Sequence, residues 1–216
     1  MHKSDIEYGQ VLLTGEIAFY LQHPKGRLIT EKNKAEFLKK WIGRRLKQNI
    51  DNSAVKKCLK AIRNDKRIAV NWTAALDVYN RHVKQCRKFA AEKTNDRQLL
   101  DTVVKRLDDE GYCVKENVQI GATFNEAENI RHKNSGAFLV MEAVNQEFED
   151  GTVPTGRYLR FLVTSKNVMM RSVALLEDAC FPVQCTEREG IIAVRSAQEH
   201  IGMVLGMLGE NQDDRN

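Results

Sequence analysis

Gly111-Tyr112-Cys113-Val114-Lys115-Glu116-Asn117-Val118-Gln119-Ile120 is where the apolar period of the chain changes. Before it, apolar residues recur at helical spacing. Within it they alternate, with Val114, Val118 and Ile120 on one face of a strand. Toward the N-terminus, Gly111 offers the left-handed cap that ends a helix over 97–110, in which Leu99, Leu100, Val103, Val104 and Leu107 share a face. A longer helix over 71–92 keeps Trp72, Ala75, Leu76, Tyr79, Val83, Cys86 and Ala90 close to a single seam. Helices over 33–48 and 53–63 precede it, the second opened by the capping sequence Asp51-Asn52-Ser53. A first helix over 10–22 is weakened by Gly15, and Pro24 and Gly26 punctuate the turn that follows.

Toward the C-terminus, residues 121–135 are polar and irregular. Strands are expected over 137–146 and 156–164, joined by the acidic turn Glu149-Asp150-Gly151-Thr152. A helix over 167–179 follows, then a short hairpin of 182–185 with 190–194 about Glu187-Arg188-Glu189. A final helix over 196–208 presents Ile201, Val204, Leu205 and Leu208. Helices followed by β-β-β-α-β-β-α describe an α+β protein: an N-terminal helical bundle, then a small antiparallel sheet with helices packed on one face. The expected division is a basic helical domain over 1–95, an α+β domain over 96–210 and a polar, frayed tail over 211–216.

Composition narrows the class. With 42% apolar and 29% charged residues in 216, the chain is long enough to bury a sizeable core. No apolar run approaches the roughly 18 residues that cross a bilayer, and no export signal is evident, so no membrane partner and an intracellular location (cytoplasm, nucleoid or nucleus) are expected. The five cysteines are scattered. Cys58, Cys86 and Cys113 occupy apolar positions of helices or strands, as buried thiols do in a reducing compartment.

Charge is distributed unevenly. Between Lys25 and Arg67 stand fifteen Lys or Arg residues and four acids, a local charge of +11 on a chain whose total is +5. From Arg97 to Asn216 thirteen basic residues face nineteen acidic ones, or −6. On the wheel of 33–48, Lys39, Lys40, Arg44 and Lys47 gather opposite Phe37, Leu38, Trp41, Ile42 and Leu46, while Arg45 lands inside the apolar stripe. On that of 53–63, Lys56, Lys57, Lys60 and Arg63 fall opposite Val55, Cys58, Leu59 and Ile62, and Lys66 and Arg67 extend the patch. Solvated helices usually mix charge signs so that i,i+4 pairs form; here such pairs are mostly missing. A face of Lys and Arg without acids suits a line of phosphates, which it binds through counterion release and, with Arg, bidentate contacts.

The chemistry of catalysis finds little footing. Cys180 and Cys185 have no second pair to complete a zinc site with His132 or His200. Glu199-His200 lacks a second histidine, and His82 lies at the edge of an apolar seam. The acidic clusters Glu126-Ala127-Glu128 and Glu147-Phe148-Glu149-Asp150 read as solvated loops, and no Gly-rich phosphate loop occurs. Arg157-Tyr158-Leu159-Arg160-Phe161 offers an aromatic beside cations on a sheet surface, although Phe161 by alternation points to the core.

The expected function is that of a non-enzymatic nucleic-acid-binding protein, a regulatory or accessory factor that contacts the phosphate backbone of DNA or RNA through Lys39, Lys40, Arg44, Lys47, Lys56, Lys57, Lys60, Arg63, Lys66 and Arg67. No metal or cofactor is expected. Apolar seams over 72–90 and 201–208 suggest a homo-oligomer. The alternative is a protein–protein adaptor or self-assembling subunit whose basic half docks on an acidic surface.

Overall fold

The computed structural model describes residues 2–23, 29–118, 137–141, 148–163, 166–186 and 190–210. Among them run helices α1 (Lys3–Gln22), α2 (Glu31–Gln48), α3 (Ser53–Asn64), α4 (Ile68–Glu92) and α5 (Asp96–Asp109), then strands β1 (Cys113–Val118), β2 (Ala137–Met141) and β3 (Leu159–Val163). Helix α6 (Lys166–Asp178), strands β4 (Val183–Thr186) and β5 (Ile191–Val194) and helix α7 (Ala197–Met207) complete the order. The protein is α+β with a helical N-terminal region. The turn at Pro24 and Gly26, residues 121–135, the turn at Glu187-Arg188-Glu189 and the tail 211–216 lie outside the described residues. Two compact units emerge, His2–Val83 and Lys84–Asn216, and the division falls inside α4.

In the His2–Val83 unit each helix start has a polar stop. The Thr30 hydroxyl accepts from the Asn33 amide at 3.2 Å, and the Asn52 side chain from that of Val55 at 2.9 Å. Asp65 accepts from the Arg67 amide at 2.7 Å and from Asn71 Nδ2 at 2.8 Å, fixing the entry to α4. Helix α1 packs on α2 and α3, and α2 packs on α3. It begins at Lys3, well before residue 10, and its two glycines mark contacts rather than weakness. A Cβ on Gly9 would stand 2.1 Å from the Tyr79 ring, and one on Gly15 would stand 2.6 Å from Trp72 and 3.2 Å from Trp41. Trp41 and Trp72 in turn meet edge to face, their centroids 5.9 Å apart. Phe19, Leu38, Ile42, Leu59 and Trp72 are fully buried, each worth about 1.5–3 kcal/mol relative to exposure.

In the Lys84–Asn216 unit the five strands form one sheet in the order β1-β2-β3-β5-β4. Three of its pairings are antiparallel, but β1 runs parallel to β2, with Cys113 opposite Ala137 and Lys115 opposite Leu139. Alternation along a strand tells which residues share a face and is silent on direction. Leu159 lies opposite Val194 and Phe161 opposite Ile192. These four belong to the core with Leu100, Val103 and Leu107 of α5 and Val168, Leu175 and Leu176 of α6. Arg160, between Leu159 and Phe161, is exposed, so helices cover one face of the sheet at β3 and β5.

A buried carboxylate ties this unit together. Asp96, with no exposure, accepts from the Val153 amide at 2.8 Å through one oxygen and from the Gln198 amide at 2.9 Å through the other. The second contact sits in the first turn of α7, where backbone N–H groups favour an anion. Nearby, the Arg97 amide donates to the Gly151 carbonyl at 2.9 Å and Gln198 Nε2 donates to the Thr94 carbonyl.

Candidate nucleic-acid interface

Helices α2 and α3 pack through Phe37, Leu38, Ile42, Val55, Leu59 and Ile62, all buried, which turns their polar faces outward. Between those faces lies an open groove of about 770 Å³, lined by Lys39, Lys40, Gly43, Arg44, Leu46 and Lys47 of α2 and by Lys60 and Arg63 of α3. Gly43 admits the Arg63 guanidinium over the α2 backbone: a Cβ there would stand 3.4 Å from Arg63 Nη2. Six of the eight lining residues are cations and none is an acid. All six are exposed.

The remaining four expected contacts lie outside that lining. Lys56 is half-buried and donates to Asn49 Oδ1 at 2.6 Å, while Lys57, Lys66 and Arg67 are exposed. Among the described residues none of the ten cations takes part in an ion pair. Two acids of the same unit are paired with other cations. Asp51 binds Arg45 through both Nε and Nη2, the closer contact at 2.8 Å, and Glu16 binds Lys34 at 2.7 Å, which also reaches Thr73 at 3.0 Å. That pairing explains how Arg45 is tolerated within the apolar stripe: its charge is answered by a carboxylate that is 6% exposed. Lys25 and Arg27, part of the same basic run, lie outside the described residues.

Other sequence candidates disperse. Phe161 is buried, and Tyr158 is engaged by Arg195, whose Nε donates to its hydroxyl at 2.9 Å and whose guanidinium lies 4.9 Å from its ring centre. Cys180 is buried and Cys185 exposed, so the two do not form a common metal site; His200 is 5% exposed. His132 and Glu126-Ala127-Glu128 lie outside the described residues. Cys58 is exposed rather than inward, because it sits at the edge of a stripe set by Val55, Leu59 and Ile62. The side chain of Cys113 is outside the described set, whereas Cys86 is buried as expected. A Cβ on Gly202 or Gly206 meets no atom within 4 Å among the described residues, so neither marks a close packing contact there.

Much of the apolar seams that suggested self-association is buried within the chain, while Ala75, Ala90 and Leu208 are half-buried. Trp72, Leu76, Tyr79, Val83 and Cys86 of α4 are buried, as are Ile201, Val204 and Leu205 of α7. Compared with known proteins, the chain matches no family model, no curated protein and no solved structure.

Proposed function

We propose that the protein binds nucleic acid as a non-enzymatic accessory or regulatory factor, seating a phosphodiester backbone along the α2–α3 groove. The observation that carries this reading is the groove lining of six exposed cations without one acid. Arg44 and Arg63 add planar donor forks suited to phosphate oxygens, and the four lysines supply point charges. Six phosphate contacts at 0.15 M salt supply about four to five decades of binding constant by counterion release, a Kd on the order of tens of micromolar. Such contacts position a strand without reading its bases, so duplex and single-stranded DNA and RNA all bind through this groove.

Fluorescence anisotropy with labelled duplex, single-stranded DNA and RNA at about 0.05 and 0.15 M salt tests the reading. Binding in the micromolar range is expected, with unlabelled nucleic acid displacing the probe far better than polyglutamate at equal charge concentration. Equal displacement by polyglutamate would transfer support to the adaptor that meets acidic protein surfaces. No binding at the lower salt would reject both uses of the groove.

A further inference from the structure

Cys86 on α4 and Cys180, just beyond the end of α6, bring their sulfur atoms to 3.6 Å from one another. Both residues are fully buried. Cys180 has φ +65°, the left-handed conformation that suits glycine at a helix C-terminus and that side chains with a Cβ rarely adopt. Its N–H donates to the Glu177 carbonyl at 3.0 Å and that of Phe181 to Leu176 at 3.0 Å, closing α6 around this residue. A thiol is therefore held, at conformational cost, where glycine would fit freely, and it is aimed at a second thiol.

We propose that Cys86 and Cys180 are a site of reversible oxidation, forming an intramolecular disulfide by exchange with a small-molecule disulfide such as oxidised glutathione. When local opening admits the oxidant to the buried pair, the Cys86 thiolate attacks one of its sulfurs, the oxidant's S–S bond breaks, and one reduced thiol leaves with a proton. The Cys180 thiolate then attacks the Cys86 sulfur of the mixed disulfide and expels the second reduced thiol. Two protein thiols are oxidised and one external disulfide is reduced to two thiols. The sulfur atoms need to close by about 1.5 Å to reach bonding distance. The product carries no charge, which suits a dry interior.

Burial and the hydrogen bond with Cys86 push the Cys180 thiol well above its ordinary value, the hydrogen bond being the larger cause. Exchange is accordingly slow at neutral pH and faster in alkaline solution. Once formed, the link joins positions 94 apart in sequence and restricts the unfolded chain of the Lys84–Asn216 unit.

The full chain carrying Cys58→Ser, Cys113→Ser and Cys185→Ser, equilibrated with oxidised glutathione at about pH 8.5, is the test. Expected are the loss of two hydrogens by intact mass, a linked Cys86–Cys180 peptide, and a Tm raised by about 5–10 °C that dithiothreitol reverses. Persistent thiols, or glutathione adducts without the link, would overturn the proposal. Peptide mapping of the oxidised wild-type chain gives the same decision without relying on the triple variant to fold: a Cys86–Cys180 link supports the proposal, and pairing of either cysteine elsewhere overturns it.

Discussion

Reversing four groove cations together, Arg44→Glu, Lys47→Glu, Lys60→Glu and Arg63→Glu, is expected to weaken nucleic-acid binding about 1000-fold at 0.15 M salt. Each phosphate contact contributes about 0.7 decades at that salt through counterion release, so four lost contacts remove about three decades before any new repulsion is counted. The four side chains are exposed and lie outside the ion pairs among the described residues. Stability should therefore change little, on the order of 0.5 kcal/mol per site or less. Circular dichroism and thermal melting establish that the variant is folded, and anisotropy reads the affinity. The same exchange at Lys57, Lys66 and Arg67, outside the groove lining, should cost about tenfold or less, which separates a seated strand from a general attraction to positive charge.

Asp96→Ala is expected to destabilise the Lys84–Asn216 unit by about 3–5 kcal/mol. It strips the Val153 and Gln198 amides of a shared buried carboxylate, and each loses a charge-assisted partner in a place that Asp96 itself shields from water. Asp96→Asn keeps the shape but has one acceptor oxygen for two amides that now use separate oxygens, so roughly half that loss is expected. Urea unfolding followed by circular dichroism measures both. Equal stability of the wild type and Asp96→Ala would show that water satisfies those amides as well as the carboxylate does. The nucleic-acid affinity proposed for the other unit should survive Asp96→Asn where the chain remains folded.

The helices were legible because α2, α3, α4 and α5 each carry an apolar stripe at helical spacing. Helix α1 was only partly legible. It approaches its neighbours through Gly9 and Gly15, and a glycine that admits an aromatic ring looks in sequence like a helix breaker. Strand alternation placed β1, β2 and β3, while the parallel pairing of β1 with β2 depends on chain direction, which no local pattern records. The Asp96 junction was hidden for a related reason: its partners lie 57 and 102 residues away.

For the groove, two helical wheels found the cations individually. That Lys60 and Arg63 share a groove with Lys39, Lys40, Arg44 and Lys47 follows from the packing of α2 on α3, which brings the Arg63 guanidinium over Gly43. Lys56, one turn from Lys60 on α3, lies outside the groove lining, and its amine also donates to Asn49. The expected role of Cys58 as an inward residue failed at a stripe edge, where one step around the helix separates core from solvent.

The dependence of affinity on salt tests the groove most directly. Six phosphate contacts predict that log Kd rises with log salt concentration with a slope of about 5 for duplex DNA and about 4 for a single strand. The four-site reversal should cut the duplex slope to about 2. A wild-type slope near zero, or one unchanged by the reversal, would contradict the assignment of these cations to a phosphodiester backbone.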